Sequence, residues 1–355
     1  MSSMAVSRSS SWHPKWRWMR CVPKPKRPWL ADGIAVSVNS LHSSAYGGQG
    51  WSQRTRDHCD ELGSIWASHQ IDSEWASLKS VLLHRPGEEL LVAGNDPNSV
   101  QMLAPVDLAR AQSEHDQLAE TYRSLEVDVH YVEPAGRCPP NQMFCADTFV
   151  MTPVGALLAR PASTVRAGEE RWVQNRLAAL GVPIARSLTG TATFEGADLM
   201  WLDSETAIVG HGLRTNDEAI AQISTFFEQI GCRLIVVDMP VGTMHLMGML
   251  RIIDKDLAVA WPRRTPFRAV RALEELGFEV VFLSDGDEQD RNRAINFVTL
   301  GPRKVLMVGG LTEFENWLER LGVECITTAT DELSKAAGNV GCLTGVLQRQ
   351  AAIPK

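Results

Sequence analysis

The sequence predicts an α/β protein built as a ring of five ββαβ repeats around a central channel. The clearest observation is a glycine that recurs between a helix-like and a strand-like segment, at Gly181, Gly231, Gly277 and Gly322, with spacings of 50, 46 and 45 residues. Each repeat contains three strand-like runs, which excludes two-helix solenoids, and one amphipathic helix, which excludes an all-β propeller. Five such units favour ring closure over an open array.

The elements of each repeat follow from local patterns. Amphipathic stretches ending at these glycines predict the helices, since glycine adopts the left-handed conformation of a helix C-cap without a Cβ clash. In the first repeat, Glu126 stands where the glycine would be. The predicted helices cover residues 107–125, 168–180, 215–230, 266–276 and 312–321. β-branched strands are predicted after four of them, at 127–132, 233–238, 279–283 and 323–327.

Composition excludes several classes of protein. A net charge of −7 argues against a nucleic-acid-binding surface, and the absence of an 18-residue apolar run argues against a membrane helix. The seven cysteines include no C-x-x-C pair, which argues against a zinc ribbon or knuckle. Their odd, scattered arrangement favours reduced thiols and a cytoplasmic location.

The first 70 residues differ from the rest, and we expect them to form an irregular, basic, Trp-rich leader or arm before a single catalytic domain at residues 71–350. Residues 1–31 carry seven Lys or Arg and no acid, and six of the 11 tryptophans precede residue 70. Such a start is also typical of an organellar transit peptide, although four prolines would interrupt its amphipathic helix. No function is assigned to this segment.

Four short segments at equivalent edges of the repeats carry residues suited to chemistry. They contribute Asp147, Glu195, Asp198, His245 and Cys342. A thiol, an imidazole and carboxylates form a coherent set for covalent attack on an electron-poor carbon. Each residue also has a structural interpretation: a buried cysteine, a core histidine, or an aspartate that caps a turn. Their joint occurrence at matching repeat positions favours the catalytic interpretation.

These segments resemble motifs of the pentein (guanidine-modifying) superfamily, which includes arginine deiminases, dimethylarginine dimethylaminohydrolases and amidinotransferases. The resemblance covers residues 73–348 and implies a five-bladed α/β propeller. Residues 74–86 and 106–115 resemble the first strand and helix of the family. Residues 141–147 resemble N-x-x-F-x-R-D with Ala146 in place of the arginine, and residues 194–198 resemble F-E-G-G-D. His245 resembles the catalytic histidine and Cys342 the nucleophile near the C-terminus.

The resemblance implies a cysteine hydrolase that acts on the guanidine group of arginine or an N-substituted arginine and forms citrulline. Cys342 would add to the guanidinium carbon and leave a covalent amidino-thioether. His245 would act first as an acid and then as a base, with Glu195 orienting it. This mechanism needs neither a metal ion nor an organic cofactor.

Several residues are predicted to bind the substrate. Asp147 is the candidate for a bidentate clamp on the guanidinium, with Asn141 as a further contact. Arg214 and Arg166 resemble family arginines that bind the α-carboxylate, to which the forked guanidinium is well suited. Asp198 is expected to support the catalytic carboxylate or the substrate. The expected partner is therefore a small guanidine-bearing amino acid, and a homodimer is kept as a candidate assembly.

The chain departs from the deiminase pattern at positions that bear on the substrate. Met247 stands where deiminases carry a second acid, and Gly341 stands where they carry a histidine. A site with one acid and a thioether would tolerate a substituted guanidine, which favours the dimethylarginine-hydrolase type. Three alternatives stay open: an amidinotransferase, an arginine deiminase, and a non-catalytic ring that binds a macromolecule. The last would have no use for a thiol, a histidine and a glutamate together.

Overall fold

The computed structural model describes residues 43–284 and 293–351, whose strands form five three-stranded sheets of one design. The strands are β1 (Leu78–Leu83), β2 (Asp128–Tyr131), β3 (Phe149–Thr152), β4 (Gly155–Leu158), β5 (Ile184–Ser187), β6 (Leu199–Asp203), β7 (Thr206–His211), β8 (Arg233–Asp238), β9 (Leu250–Asp254), β10 (Leu257–Ala260), β11 (Glu279–Phe282), β12 (Val298–Gly301), β13 (Lys304–Val308), β14 (Glu324–Thr328) and β15 (Gly345–Arg349). The helices are α1 (His58–Glu61), α2 (Leu108–Ser124), α3 (Glu169–Ala179), α4 (Asp217–Gln229), α5 (Phe267–Glu275), α6 (Thr312–Arg320) and α7 (Val340–Leu343).

Each sheet repeats the same connection. The sheets are β3–β4–β5, β6–β7–β8, β9–β10–β11, β12–β13–β14 and β15–β1–β2. The central strand pairs antiparallel with the first strand and, after a crossover helix, parallel with the third. The predicted five ββαβ repeats are thus confirmed.

The fifth sheet is assembled from both ends of the repeat region. β15 lies antiparallel to β1, with Val346 opposite Val81, although some 265 residues separate these two strands in the sequence. The C-terminal strand therefore completes the sheet that the first repeat begins, and this pairing closes the ring.

The predicted joints between helix and strand are confirmed in all five repeats. Gly181, Gly231, Gly277 and Gly322 have φ between 74° and 89°, the left-handed region in which a side chain is strained. Glu126 occupies the equivalent place in the first repeat with φ of 59°, so this one joint adopts the same conformation without glycine. The helix boundaries lie within two residues of the predicted ones, because the amphipathic pattern and the capping residue that predict them are local features of the sequence.

The first strand of each sheet, here called the inner strand, is mostly buried: β3, β6, β9, β12 and β15 contain no exposed residue. The third strands, in contrast, each contain exposed and half-buried residues. A short helical turn, here called the leading turn, precedes four of these inner strands: Cys145–Asp147, Gly196–Asp198, Leu246–Gly248 and α7. Neighbouring leading turns contact one another around the ring. Side chains on them therefore converge from different repeats.

The chain divides into two compact units with the boundary between Asp60 and Glu61. Within residues 43–60, the first unit contains a single 3₁₀ turn at Ser44–Tyr46 and the start of α1. Residues 1–42, which carry most of the predicted leader, lie outside the described residues. No disulfide joins the cysteines of the described part, and none of its helices is long and apolar enough to cross a membrane.

All fifteen strands lie in the second unit, so a chain that begins at Glu61 should fold by itself. Residues 61–70 should be retained, because the amide of Ala67 donates to the carbonyl of Gly181 (3.0 Å). We expect cooperative thermal unfolding and an unchanged near-ultraviolet circular dichroism spectrum. A truncated chain that aggregates or unfolds without cooperativity would show that the core requires residues before Glu61.

Candidate active site

The residues predicted to perform chemistry lie on or beside the leading turns. Asp147 ends the first of these turns, Glu195 immediately precedes the second, and His245 immediately precedes the third. Cys342 lies in α7, before the strand that closes the ring. All four are buried, although they come from four different repeats. The ring therefore brings them together.

Glu195 is the centre of a buried hydrogen-bond network. Its Oε2 accepts from Nε2 of His245 (2.6 Å) and Nη1 of Arg166 (3.1 Å). Its Oε1 accepts from Nη1 of Arg214 (3.0 Å) and from the amide of Ala162 (3.1 Å). Burial acts to raise the pKa of Glu195, but the hydrogen bond from His245 and the surrounding cations hold it well below its usual range. Glu195 is therefore ionised.

Arg166 is a counter-ion for three buried carboxylates. Its Nη1 also donates to Oδ2 of Asp147 (2.7 Å), while Nε and Nη2 bind Glu169, the latter at 2.7 Å from Oε2. Only 4% of Arg166 is exposed. The sequence analysis did not include Glu169. The carboxylate-binding role predicted for Arg166 and Arg214 stays a prediction, and in the structure both guanidiniums are engaged by the protein's own acids.

His245 is oriented by its two carboxylate neighbours. Nε2 is committed to Glu195, so Nδ1 is the nitrogen that faces Oδ1 of Asp147, at 3.8 Å. Burial alone would lower the pKa of His245, but the charges of Asp147 and Glu195 raise it to about 9. The imidazole is therefore protonated at neutral pH and holds its transferable proton on Nδ1.

Asp198 positions the turn that follows His245. Its Oδ1 accepts from the amide of Leu246 (3.0 Å), and its Oδ2 accepts from the hydroxyl of Thr215 (2.6 Å). Burial raises the pKa of Asp198 to about 6. Both oxygens are thus occupied by protein groups, and direct contact with a substrate stays a prediction.

Gly196 allows two leading turns to approach closely. A Cβ at this position would lie 2.5 Å from the carbonyl oxygens of Ala146 and Phe149. Any side chain would push the turn that carries Asp147 away from the turn that carries Asp198. The glycine of the F-E-G-A-D segment thus maintains the distance between repeats.

Asn296 is a site residue that the sequence analysis missed. Its Nδ2 donates to Sγ of Cys342 (3.1 Å), and its Oδ1 accepts from the amide of the same cysteine (3.2 Å). The repeat spacing could have identified Asn296, since it follows His245 by 51 residues, and His245 follows Glu195 by 50. Asn296 therefore completes the set of polar residues that precede the five inner strands.

The surroundings of Cys342 raise the pKa of its thiol overall, although two neighbours act in the opposite direction. Burial raises the pKa of the thiol, and the negative charge of Asp147 raises it further. The hydrogen bond from Asn296 and the charge of Arg251 act in the opposite direction. Arg251 lies directly against Gly341, where a Cβ would come within 2.4 Å of Nη2. A cation bound to Asp147 would shift this balance toward the thiolate.

Two residues that line the pocket at Cys342, Asp147 and Asn141, each carry a buried oxygen atom without a hydrogen bond. The oxygen is Oδ1 in both, and Nδ2 of Asn141 donates to the carbonyl of Val100 (2.9 Å). The pocket is small, about 20 Å³, and Met244 and Cys342 also line a larger cavity of about 520 Å³. Two unpaired acceptors beside a thiol are suited to a planar donor with several N–H groups.

The two methionines near His245 occupy different places. Met244 lines both the small pocket and the large cavity. Met247 lines the large cavity and a second internal one of about 30 Å³, but not the pocket that contains Asp147. Contact between Met247 and a guanidine stays a prediction, whereas Met244 was not considered at the level of sequence.

A metal ion would compete with cations at this site. Asp147, Glu195 and His245 offer ligand atoms within 4.8 Å of one another. Arg166 and Arg214 already neutralise Glu195, and the proton of His245 would have to leave before a metal bound. The arrangement therefore favours an organic cation that binds through N–H groups.

Comparison with known proteins supports the same interpretation. The sequence model of the family described as N,N dimethylarginine dimethylhydrolase, eukaryotic, matches residues 98–347. An N(G),N(G)-dimethylarginine dimethylaminohydrolase of Streptomyces coelicolor is 26% identical over 266 residues, which cover 73% of this chain and 96% of that protein.

Solved structures share the fold. A dimethylarginine dimethylaminohydrolase of Pseudomonas aeruginosa, solved in complex with citrulline, is 21% identical with a TM-score of 0.63 and covers 77% of this chain and 100% of that one. An amidinotransferase of Microseira wollei is 13% identical with a TM-score of 0.66 and covers 81% and 99%. These likenesses confirm the pentein fold.

Replacement of Glu195 by Gln should lower the pKa of His245 from about 9, because the amide removes a charge that stabilises the imidazolium. An NMR titration of the His245 ring measures this shift, with Glu120→Gln on exposed α2 as the control. The variant should also lose about 3–5 kcal/mol of stability, the typical cost of a broken buried ion pair. In the wild type, the pKa of His245 in the folded state lies above the unfolded value of about 6.5. Protonated His245 therefore contributes its full stabilisation below pH 6.5, and this contribution declines as the pH rises to 9. An unchanged titration would contradict this account.

Replacement of Asn296 by Ala should make Cys342 less reactive. A hydrogen bond to a charged group contributes about 1.5–3 kcal/mol, which corresponds to a rise of roughly one to two pH units in the thiol pKa. The rate of alkylation by iodoacetamide, followed at Cys342 against pH, measures the change. Asn175→Ala on the exposed face of α3 is the matched control. An identical pH profile in the variant would show that the 3.1 Å contact does not stabilise the thiolate.

Proposed function

The chain belongs to the N,N-dimethylarginine dimethylhydrolase family, and we propose that it hydrolyses the guanidine group of an Nω-methylated arginine to citrulline and an amine. The single observation that carries this proposal is the pair of buried acceptors without a hydrogen bond, on Asp147 and Asn141, two residues that line the same pocket as Cys342. A guanidinium supplies the N–H donors that these oxygens lack.

Binding of the substrate activates the nucleophile. The guanidinium N–H groups donate to Asp147 and Asn141, and its positive charge offsets the carboxylate that raises the pKa of Cys342. The thiol proton then leaves to solvent. The thiolate, held by Asn296, attacks the central carbon of the guanidinium.

His245 transfers protons in both halves of the reaction. As the C–N bond breaks, Nδ1 of the imidazolium donates its proton to the departing amine, and an amidino-thioether on Cys342 remains. The neutral imidazole then takes a proton from water, which attacks the same carbon. The C–S bond breaks to return the thiolate, and the proton on the new hydroxyl group leaves to solvent as citrulline is released. Glu195 holds Nε2 throughout, so the ring keeps its orientation.

The remainder of the amino acid fits the larger cavity. Among the described residues, three cationic side chains line it, those of Arg264, Arg293 and Lys335, and Lys335 is already paired with Glu332 (2.9 Å). Arg264, which donates to the carbonyl of Gly242 (3.2 Å), and Arg293, whose partner Asp331 is exposed, are the alternative partners for an α-carboxylate, since Arg166 and Arg214 are engaged by buried acids. Met244, at the junction of pocket and cavity, offers an apolar and adaptable contact for N-methyl groups.

The alternative is transfer of the amidino group to an amine instead of water. The cavity of about 520 Å³ beside His245 and Cys342 is large enough to admit a small acceptor after the first product leaves. The same residues would serve both reactions, but in the transferase ornithine instead of the amine would leave in the first step, and the amidino group left on Cys342 would pass to the acceptor in the second.

Product analysis by mass spectrometry tests the proposal. With Nω,Nω-dimethylarginine we expect citrulline and dimethylamine, formed faster than citrulline and ammonia from arginine and unaffected by added glycine. Cys342→Ser should abolish turnover, because a hydroxyl is a far weaker nucleophile than a thiolate, whereas Cys232→Ser should retain it. Ornithine together with an amidino-glycine product would establish the transferase, and a preference for arginine would establish a deiminase.

A further inference from the structure

A second cluster of ligand-type side chains lies outside the catalytic network, at the end of β1. Nε2 of His84 lies 3.1 Å from Oε1 of Glu89 and 3.9 Å from Sγ of Cys138. One ligand atom from each of the three side chains lies within 4.8 Å of the others. None of these residues takes part in the proposed reaction.

The cluster is enclosed and its histidine is oriented. His84 and Cys138 are only 5% and 8% exposed, and the side chain of Glu89 is 10% exposed. Nδ1 of His84 lies 3.3 Å from the carbonyl of Val132, which directs Nε2 toward the other two side chains. A backbone carbonyl on the distal nitrogen is the usual outer contact of a metal-bound histidine.

We propose that His84, Glu89 and Cys138 bind a zinc ion, with water as the fourth ligand. Zinc binds His, carboxylate and Cys ligands at about 2.0–2.3 Å, which places tetrahedral ligand atoms about 3.4–3.6 Å apart. The observed 3.1 and 3.9 Å bracket these separations, so shifts of a few tenths of an ångström suffice. A nitrogen, oxygen and sulfur set excludes magnesium and calcium, which prefer oxygen ligands alone.

Binding must displace a proton from the cysteine. As the zinc–sulfur bond forms, the S–H bond breaks and the proton passes to solvent. The contact between Nε2 of His84 and Oε1 of Glu89 would give way to one bond from each of these atoms to the ion.

The site would join three segments that lead toward the substrate pocket. His84 follows β1, Glu89 belongs to the 3₁₀ helix Glu88–Ala93, and Cys138 lies in the loop that runs directly into Asn141. A zinc ion here would hold that loop without contacting the reacting atoms. The inference does not depend on the identity of the substrate.

Cobalt(II) tests the site, because a cysteine–cobalt bond gives a charge-transfer absorption in the near ultraviolet. The full chain should bind one equivalent with this band. The band should persist in Cys342→Ser and in the control Cys232→Ser, and disappear in Cys138→Ser. Zinc should displace the cobalt and raise the melting temperature of Cys342→Ser.

Two results would overturn the proposal. A band that survives Cys138→Ser and is lost in Cys342→Ser would place the metal in the catalytic pocket. The absence of any band in the wild type at millimolar cobalt would show that the cluster binds no metal. If Cys138→Ser does not fold, Glu89→Gln replaces it: the amide keeps the acceptor for the amide of Gly87 but should weaken cobalt binding at least about tenfold, and unchanged affinity would contradict the site.

Discussion

The carboxylate of Glu195 has no exposure to solvent, and the arrangement of the site follows from the need to neutralise it. Four donors meet its two oxygens, from His245, Arg166, Arg214 and the amide of Ala162. A buried charge without such partners would cost several kcal/mol. Because these donors come from successive repeats, the electrostatics of the site and the closure of the ring depend on each other.

The charge balance explains which species the site accepts. Three buried carboxylates, on Asp147, Glu169 and Glu195, face the guanidiniums of Arg166 and Arg214. The two guanidiniums and the imidazolium of His245 balance these three carboxylates, and Asp198, whose pKa of about 6 leaves it mostly ionised at neutral pH, adds a negative charge nearby. A thiolate on Cys342 would add another negative charge, so a cationic substrate and an ionised nucleophile stabilise each other. A neutral urea product lacks this attraction, which favours its release.

Two asparagines in the site use their amide groups differently. Asn296 donates to the sulfur of Cys342 and stabilises its negative charge. Asn141 donates its amide nitrogen to the carbonyl of Val100, and its oxygen has no hydrogen-bond donor within the protein.

Glycines allow the turns around them to approach closely, since Gly196 and Gly341 lie where any Cβ would collide with a neighbouring repeat. The shape of the pocket therefore depends on how closely the backbone segments approach one another, as well as on the side chains.

The repeats, their helices and the residues before the inner strands could be predicted from the sequence, because amphipathic periodicity and helix-capping glycines act within about 20 residues. The sequence also indicated that Asp147, Glu195, His245 and Cys342 would converge, since equivalent positions of a closed ring face one axis. The hydrogen-bond partners of each side chain, however, depend on the tertiary structure. Arg166 and Arg214 could not be assigned to Glu195 from local pattern, and Asn296 became visible only beside Cys342. These contacts link residues 19 to 50 positions apart, across turns whose spacing is set when β15 pairs with β1. A hydrogen bond requires positioning to a few tenths of an ångström, which ring closure supplies and sequence spacing does not.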